Sequence, residues 1–458
     1  MKPLPPPRLL HLAWPMMAEL VLGFSVGMLG LALAAQGSDH AAAAFGVANH
    51  VQTTFFLLFR IVSMGVSVVV TQNLGAGDRA TANRYARDGL SASTWLGLGV
   101  ALTLVLGAGR LLIWLNTPEV VATLAQPYLQ TLALALLLDA WNANLAAVLR
   151  AHLRTRAVML VILLIHAAHL ALCVPLMRGW GPLPGFGLPG FALALVLSRV
   201  LGLGLLFHLW RTMLALRVQW SDWWHLRVRD LGPVLHIGLP GAAENVAYRI
   251  AMLVSVSVVA GLGSKALATQ SYTFQVMNMV VLYSLSLGLA GELLIGHFVG
   301  AGSLRRTHRV LRRSLAWGLV GSTALAMLVA LSAPWTLRWF TQDADILSQA
   351  TTLLWLAVLL EPGRTCNIIV INALRATGDA RFPVAVGSVS MVVVMAGGTW
   401  LLGVHFGLGL TGVWLAYIAD EWVRGLTMVA RWFGYGWLGH ARIARRRARL
   451  TRIASAQS

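Results

Sequence analysis

Cysteine is nearly absent. The 458 residues hold two, Cys173 and Cys366, each inside an apolar stretch. No disulfide framework and no cysteine metal site can be built from them, so they read as small buried residues. Charged residues are scarce as well, at 11%. The chain has no Gly-x-x-x-x-Gly-Lys-[Ser/Thr] loop, which excludes ATP drive within it. It has no Gly-x-Ser-x-Gly, no His/Asp/Glu cluster and no paired-Asp motif, which leaves a membrane-embedded enzyme unsupported. No cofactor and no metal are implied.

Apolar residues fill that space, at 58% of the chain, with a mean hydropathy of +0.73. A soluble domain of this length could not hide so much apolar surface in one core. A bilayer is its natural solvent. Spanning runs fall at roughly 12–34, 43–73, 89–115, 122–149, 157–178, 188–213, 233–261, 266–298, 311–333, 347–374, 382–405 and 409–433. This predicts an all-α polytopic membrane protein of twelve transmembrane helices. Breaks between runs have local causes, such as Gly75-Ala76-Gly77-Asp78 after the second and Asn116-Thr117-Pro118 after the third. Pro182, Pro184 and Gly185 punctuate the loop before the sixth.

The net charge of +19 could suggest nucleic acid. The basic residues are instead spread through short loops. Arg79, Arg84 and Arg87 follow run 2, and Arg150, Arg154 and Arg156 follow run 4. Arg211, Arg217, Arg227 and Arg229 follow run 6, Arg305 to Arg313 follow run 8, and Arg375 and Arg381 follow run 10. The intervening loops hold few. This alternation puts both termini in the cytoplasm. The basic tail, with Arg442, Arg445 to Arg447, Arg449 and Arg452, reads as solvated and lipid-facing, with no nucleic-acid partner. Met1 to Arg8 carries Lys2 and Arg8 but no small-residue cleavage site follows, so the first run reads as a span, not a removed signal.

The two halves repeat at an offset of 225 residues. Leu10-His11 through Pro15 to Glu19 matches Leu235-His236 through Pro240 to Glu244. The same offset carries Gly75-Ala76-Gly77 onto Gly300-Ala301-Gly302, Asn142 onto Asn367, and Leu149-Arg150-Ala151 onto Leu374-Arg375-Ala376. Near the end it slips to 222, with Gly187-Leu188-Pro189-Gly190 matching Gly409-Leu410-Thr411-Gly412. Six spans per half start both halves on one side. The repeat is therefore parallel, with a pseudo-two-fold axis along the membrane normal, and alternating access is the mechanism it suggests. The expected divisions are a bundle at 1–215, a cytoplasmic linker at 216–232, a second bundle at 233–440 and a basic tail at 441–458.

Pro15 and Pro240, the turn Leu74-Gly75-Ala76-Gly77-Asp78, and the turn Leu374-Arg375-Ala376-Thr377-Gly378-Asp379 occur in a telling order and spacing. On these marks, across almost the whole chain, the sequence resembles the multidrug and toxic compound extrusion (MATE) transporters. Gly75 to Arg84 faintly echoes a major-facilitator loop, but the Pro/Glu pattern of runs 1 and 7 is foreign to that superfamily. The resemblance implies a monomeric exporter in a bacterial cytoplasmic membrane. It would expel small amphipathic, often cationic organic compounds against inward H⁺ or Na⁺, with two six-helix bundles around a central cavity. A flippase for a lipid-linked glycan, in the same superfamily, is the alternative.

Charge inside a span is costly and marks a candidate site. Glu19 and Glu244, each four residues past its Pro and matched by the repeat, are candidates for ion coupling, as is Glu361. Glu361 and Arg364 share one helix face, around Pro362. Asp139 and Arg364, matched by the repeat, could pair across the bundles as a gate. Asn142, Asn367, Tyr248 and Tyr272 are candidates to line a substrate cavity. Asp420 and Arg424, at i and i+4, read as a local pair, and His166 and His169 as packing or a polar face. Relatives differ at three places. Many MATE proteins carry an Asp where Gly30 stands. One branch carries a Glu at the place of Tyr248 and an Asp at that of Arg364. Coupling by the remaining acids predicts that the Glu19→Gln/Glu244→Gln/Glu361→Gln variant loses gradient-driven export in proteoliposomes; retained export would refute it.

Overall fold

The computed structural model describes residues 9–36, 38–180 and 184–457, and only the backbone at 228–230 and 449–457. Lys2, Arg8 and Pro182, and the side chains of Arg229, Arg449 and Arg452, lie outside the described residues. Among the described residues the chain is all-α. The long helices are α1 (Leu9–Ala35), α2 (Asp39–Gly75), α3 (Arg79–Trp114), α4 (Glu119–Ala151), α5 (Thr155–Arg178) and α6 (Gly187–Met213). A single turn, α7 (Ser221–Trp224), precedes α8 (Val228–Gly261), α9 (Ser264–Gly300), α10 (Leu304–Thr336) and α11 (Ala344–Thr377). The last three are α12 (Arg381–His405), α13 (Gly409–Phe433) and α14 (Leu438–Gln457).

Eleven of these helices are long and apolar enough to cross a membrane. The twelfth, α13, falls short in composition because Asp420, Glu421 and Arg424 sit at its middle. Several helices outrun the apolar segments that announce them. The 36 residues of α3 begin at Arg79, well before the expected 89, because Asp78 Oδ1 accepts from Thr81 N at 3.0 Å and starts the helix there. Hydropathy marks the lipid-facing stretch, whereas capping decides where a helix starts.

The described chain divides into two compact units. One comprises Ala18–Leu74 with Asp78–Gly238, and the other Met1–Met17, Gly75–Gly77 and Leu239–Ser458. In the first, α4 packs on α3 and α6, and α5 on α6. In the second, α11 packs on α9, α10 and α13. The repeat is visible as matched local geometry. Gly77 (φ 77°) and Gly302 (φ 72°) take the same left-handed turn, closed by Asp78 N to Asn73 O at 2.9 Å and Ser303 N to Phe298 O at 2.8 Å. Gly378 (φ 92°) ends α11, and Asp379 N reaches back to Leu374 O at 3.0 Å. Its mate at the end of α4 is Leu153 (φ 62°), with Arg154 N on Leu149 O at 3.0 Å. A leucine thus holds a conformation that a glycine takes freely.

α12 is not uniform. Met391–Gly397 and Leu401–His405 are π-helical, a wide turn that occurs most often as a local bulge near functional sites. Gly190 and Gly412, repeat mates, begin α6 and α13 where backbones meet. A Cβ on Gly190 would run into Leu176 O, and one on Gly412 into Leu402 O. Gly190→Ala and Gly412→Ala should each destabilise the protein by about 1–3 kcal/mol, read as a lowered thermal midpoint in detergent.

Candidate functional site

The acids of α1 and α8 are not free. Arg150 Nη2 donates to Glu19 Oε2 at 2.5 Å, and Arg375 Nη2 donates to Glu244 Oε2 at 2.5 Å. Both pairs have the same chain separation, because Arg150 and Arg375 are themselves repeat mates. Glu19, Glu244 and Arg375 are buried. Each pair ties the helix one turn past its Pro to the last turn of α4 or α11. In the sequence both arginines stand out by loop charge and by the repeat, but nothing there joins them to the glutamates.

The repeat matches Asp139 with Arg364. Each finds partners inside its own unit. Arg199 Nε on α6 donates to Asp139 Oδ1 at 2.7 Å, and Asn142 Nδ2 donates to Arg199 O at 3.1 Å. In the second unit Arg364 Nε donates to Glu421 Oε1 at 3.1 Å, and Asn367 Nδ2 to Glu421 Oε2 at 3.0 Å. The 222-residue offset carries Arg199 onto Glu421. The Asp139–Arg199 pair is therefore the counterpart of Arg364–Glu421 with the signs exchanged. None of the sequence patterns above marks Arg199. As a charge in the middle of run 6 it carries the same signal as the other intramembrane charges.

The second unit adds charges that the first lacks. Arg364 Nη1 donates to Glu361 Oε1 at 2.6 Å. Arg424 Nη2 reaches Asp420 Oδ2 at 2.6 Å and Glu421 Oε2 at 3.1 Å, and Ser390 Oγ donates to Asp420 Oδ1 at 2.6 Å. Leu136, Ser198 and Gly202 stand at the matching places in the first half. Asp420, Glu421 and Arg424 occupy one face of α13 with Tyr417, at i, i+3, i+4 and i+7. Gly387 on α12 sits between Glu244 and Arg424, so the Glu244–Arg375 pair adjoins the cluster. In this linked set, four carboxylates (Glu244, Glu361, Asp420, Glu421) face three guanidiniums (Arg364, Arg375, Arg424). One negative charge is in excess. Glu361 is 0% exposed, and its Oε2 is buried without a hydrogen-bond partner.

Backbone chemistry brings these groups together. α11 runs through Pro362, and Trp422 Nε1 donates to the nearby Leu359 O at 2.9 Å. A Cβ on Gly425 would lie 2.6 Å from Gly363 O. The two glycines let α11 and α13 approach closely, which places Arg364 and Asn367 beside Glu421 and Arg424. Tyr248 is 40% exposed and within electrostatic reach of Arg364, Glu421, Arg424 and Asp420. Tyr272 is elsewhere, its ring 5.5 Å from that of Phe340. His169 is fully buried, its ring edge-on to Phe191 at 4.7 Å, and Arg199 is the charge nearest in effect to both His166 and His169. Among the described residues no group of His, Cys, Asp or Glu could hold a metal ion.

Paired intramembrane charges on twelve long helices fit a carrier, and comparison with known proteins agrees. The sequence profile of the MatE family matches residues 15–174 and 240–400. The chain belongs to the MatE family. It is a membrane transporter and not an enzyme. An uncharacterized transporter of Bacillus subtilis, YisQ, is 28% identical over 430 residues, 94% of each chain. A probable multidrug resistance protein NorM of Thermotoga maritima is 24% identical, covering 96% of this chain and 95% of its own. A crystal structure of MATE in the bent conformation matches the fold with a TM-score of 0.83 at 20% identity, over 97% of this chain and 96% of the other.

The departures from other MATE proteins have structural counterparts. A Cβ on Gly30 would lie 2.8 Å from the Phe191 ring and 2.9 Å from that of Phe45, so two phenyl rings fill the place of a side chain there. Arg364, at a position acidic in one branch, is held by acids one turn earlier on α11 and across on α13. The matched pairs predict matched energetics. Glu244→Gln and Arg375→Gln should each cost about 3–5 kcal/mol, because each leaves a buried charge without its partner. The double variant should cost less than their sum in a thermal-unfolding cycle, and Glu19 with Arg150 should behave alike.

Proposed function

We propose that this protein exports small amphipathic, cationic organic compounds from the bacterial cytoplasm by antiport with H⁺ or Na⁺, through alternating access. The observation that carries this reading is the linked cluster of the second unit, in which Glu244, Glu361, Asp420 and Glu421 meet Arg364, Arg375 and Arg424. A buried carboxylate without a full partner is costly in low dielectric, and a bound proton or monovalent cation removes the cost. Glu361 is the coupling residue: of the four linked carboxylates, it is the one with an oxygen, Oε2, buried without a hydrogen-bond partner. A single such oxygen suits a proton, since a sodium ion takes several oxygen ligands. Glu421 and Arg364 form the switch beside it. When the charge on Glu361 is neutralised, Arg364 is released toward Glu421. Tyr248 and Asn367, at the edge of the cluster, serve the substrate. Glu19 and Glu244 act as braces for α1 and α8, not as carriers of the ion.

The relatives described as probable multidrug resistance proteins support export of drug-like compounds. The arginine-rich loops support cytoplasmic termini. A flippase for a lipid-linked glycan is less well supported. Its pyrophosphate needs uncommitted cations, and Arg364, Arg375 and Arg424 are each held by carboxylates. The test is efflux of a fluorescent organic cation from proteoliposomes under an imposed pH gradient or Na⁺ gradient. The pH gradient should drive wild-type export, and Glu361→Gln should abolish the drive while leaving cation binding. Drive by Na⁺ alone would reassign the ion. No dependence on either gradient would overturn the reading.

A further inference from the structure

The segment that joins the two halves carries a second feature. At the end of α6, His208, Arg211 and Thr212 lie on one face, at i, i+3 and i+4. The helix then closes with a left-handed turn. Leu214 N and Leu216 N both donate to Trp210 O, at 3.3 and 3.1 Å, around Ala215 at φ 54°. Leu216 and Trp210 are buried in one core cluster, which completes the apolar contact of such a cap. An alanine in this conformation is strained. The turn sends the chain back so that Arg217 joins Arg211. Together His208, Arg211, Thr212, Ala215 and Arg217 line a cavity of about 470 Å³.

The lining holds two guanidiniums and no acid. Among the described residues neither arginine forms a salt bridge. Asp222, the closest acid in sequence, has an oxygen committed to Gln219 N at 2.8 Å. The segment that follows the cavity in sequence is aromatic. Trp220 is 77% exposed and Trp224 41%. The turn α7 that bears Trp224 is anchored to the bundle. Trp95 Nε1 on α3 donates to Trp224 O at 3.0 Å, and Trp223 lies edge-on to Trp141 of α4 at 4.9 Å. Exposed tryptophans and exposed arginines in one short segment are the chemistry of the membrane–water interface.

We propose that this cavity binds a phosphate group, and that Arg211 and Arg217 hold it. Guanidinium pairs suit phosphate oxygens. Two sources can supply the group: the headgroup of an anionic phospholipid, whose acyl chains would lie along Trp220, or a free phosphate in solution. The lipid is favoured by the exposed tryptophans.

The test uses the full-length protein. Wild type, Arg211→Gln/Arg217→Gln, Arg217→Gln and an Arg305→Gln/Arg306→Gln control are extracted from vesicles of mixed phosphatidylglycerol and phosphatidylcholine, and retained lipids are counted by native mass spectrometry. Equal thermal midpoints check folding; both target side chains are exposed. Wild type and the control should retain a phosphatidylglycerol that the double variant loses. Affinity should fall about fivefold for each arginine removed. In a second arm, inorganic phosphate is titrated onto protein in phosphatidylcholine nanodiscs. Binding there that the double variant lacks supports the same site with a soluble occupant. If neither phosphatidylglycerol retention nor phosphate binding differs between wild type and the double variant, the proposal is wrong.

Discussion

A charge inside hydrocarbon has no water to turn to, and the buried polar residues of this protein answer that constraint. Glu19, Glu244, Asp139, Glu361, Asp420 and Glu421 each meet a guanidinium within hydrogen-bonding distance. Each such bond joins a helix to another or stiffens a single face. α1 is tied to α4, α4 to α6, α8 to α11 and α11 to α13. Replacing such pairs by apolar residues of equal size would cost little stability, so their retention points to specificity of packing and to the movement of charge.

The repeat gives this arrangement its logic. Some elements are copied outright: the Glu–Arg brace, the left-handed turns after α2 and α9, and the glycines that begin α6 and α13. One is copied with its signs exchanged, as Asp139–Arg199 becomes Arg364–Glu421. Others exist in one half only. Leu136, Ser198 and Gly202 stand uncharged in the first half. Glu361, Asp420 and Arg424 at their places add two acids and one arginine to the second. The frame is common to both halves, and the added charges are particular to the second.

Loss of the usual MATE acids is less drastic in this light. At Gly30 the room for a side chain is taken by Phe45 and Phe191. At Arg364 an arginine replaces an acid, yet it is ringed by Glu361 and Glu421, so negative charge persists one turn away and on the facing helix. By position alone the acid is missing; by neighbourhood, two acids lie against Arg364.

Much of the fold was legible in the chain. Apolar runs of spanning length can only be helices in a bilayer, because every backbone group must bond within its own segment. The register of 225 and the arginine-rich loops followed from residue identity alone. Helix ends were less legible, since caps such as Asp78 set them and hydropathy does not. Partnership was the least legible. The sequence marked Glu19, Glu244, Asp139, Glu361 and Arg364 as unusual, because cost in the membrane depends on residue type. It could not say that Glu19 meets Arg150, that Asp139 turns to Arg199, or that Gly363 and Gly425 bring Arg364 to Glu421. Those outcomes depend on how helices far apart in the chain rotate and approach. A shift of one residue turns a side chain by about 100° around its helix, so partner choice is settled by packing in three dimensions.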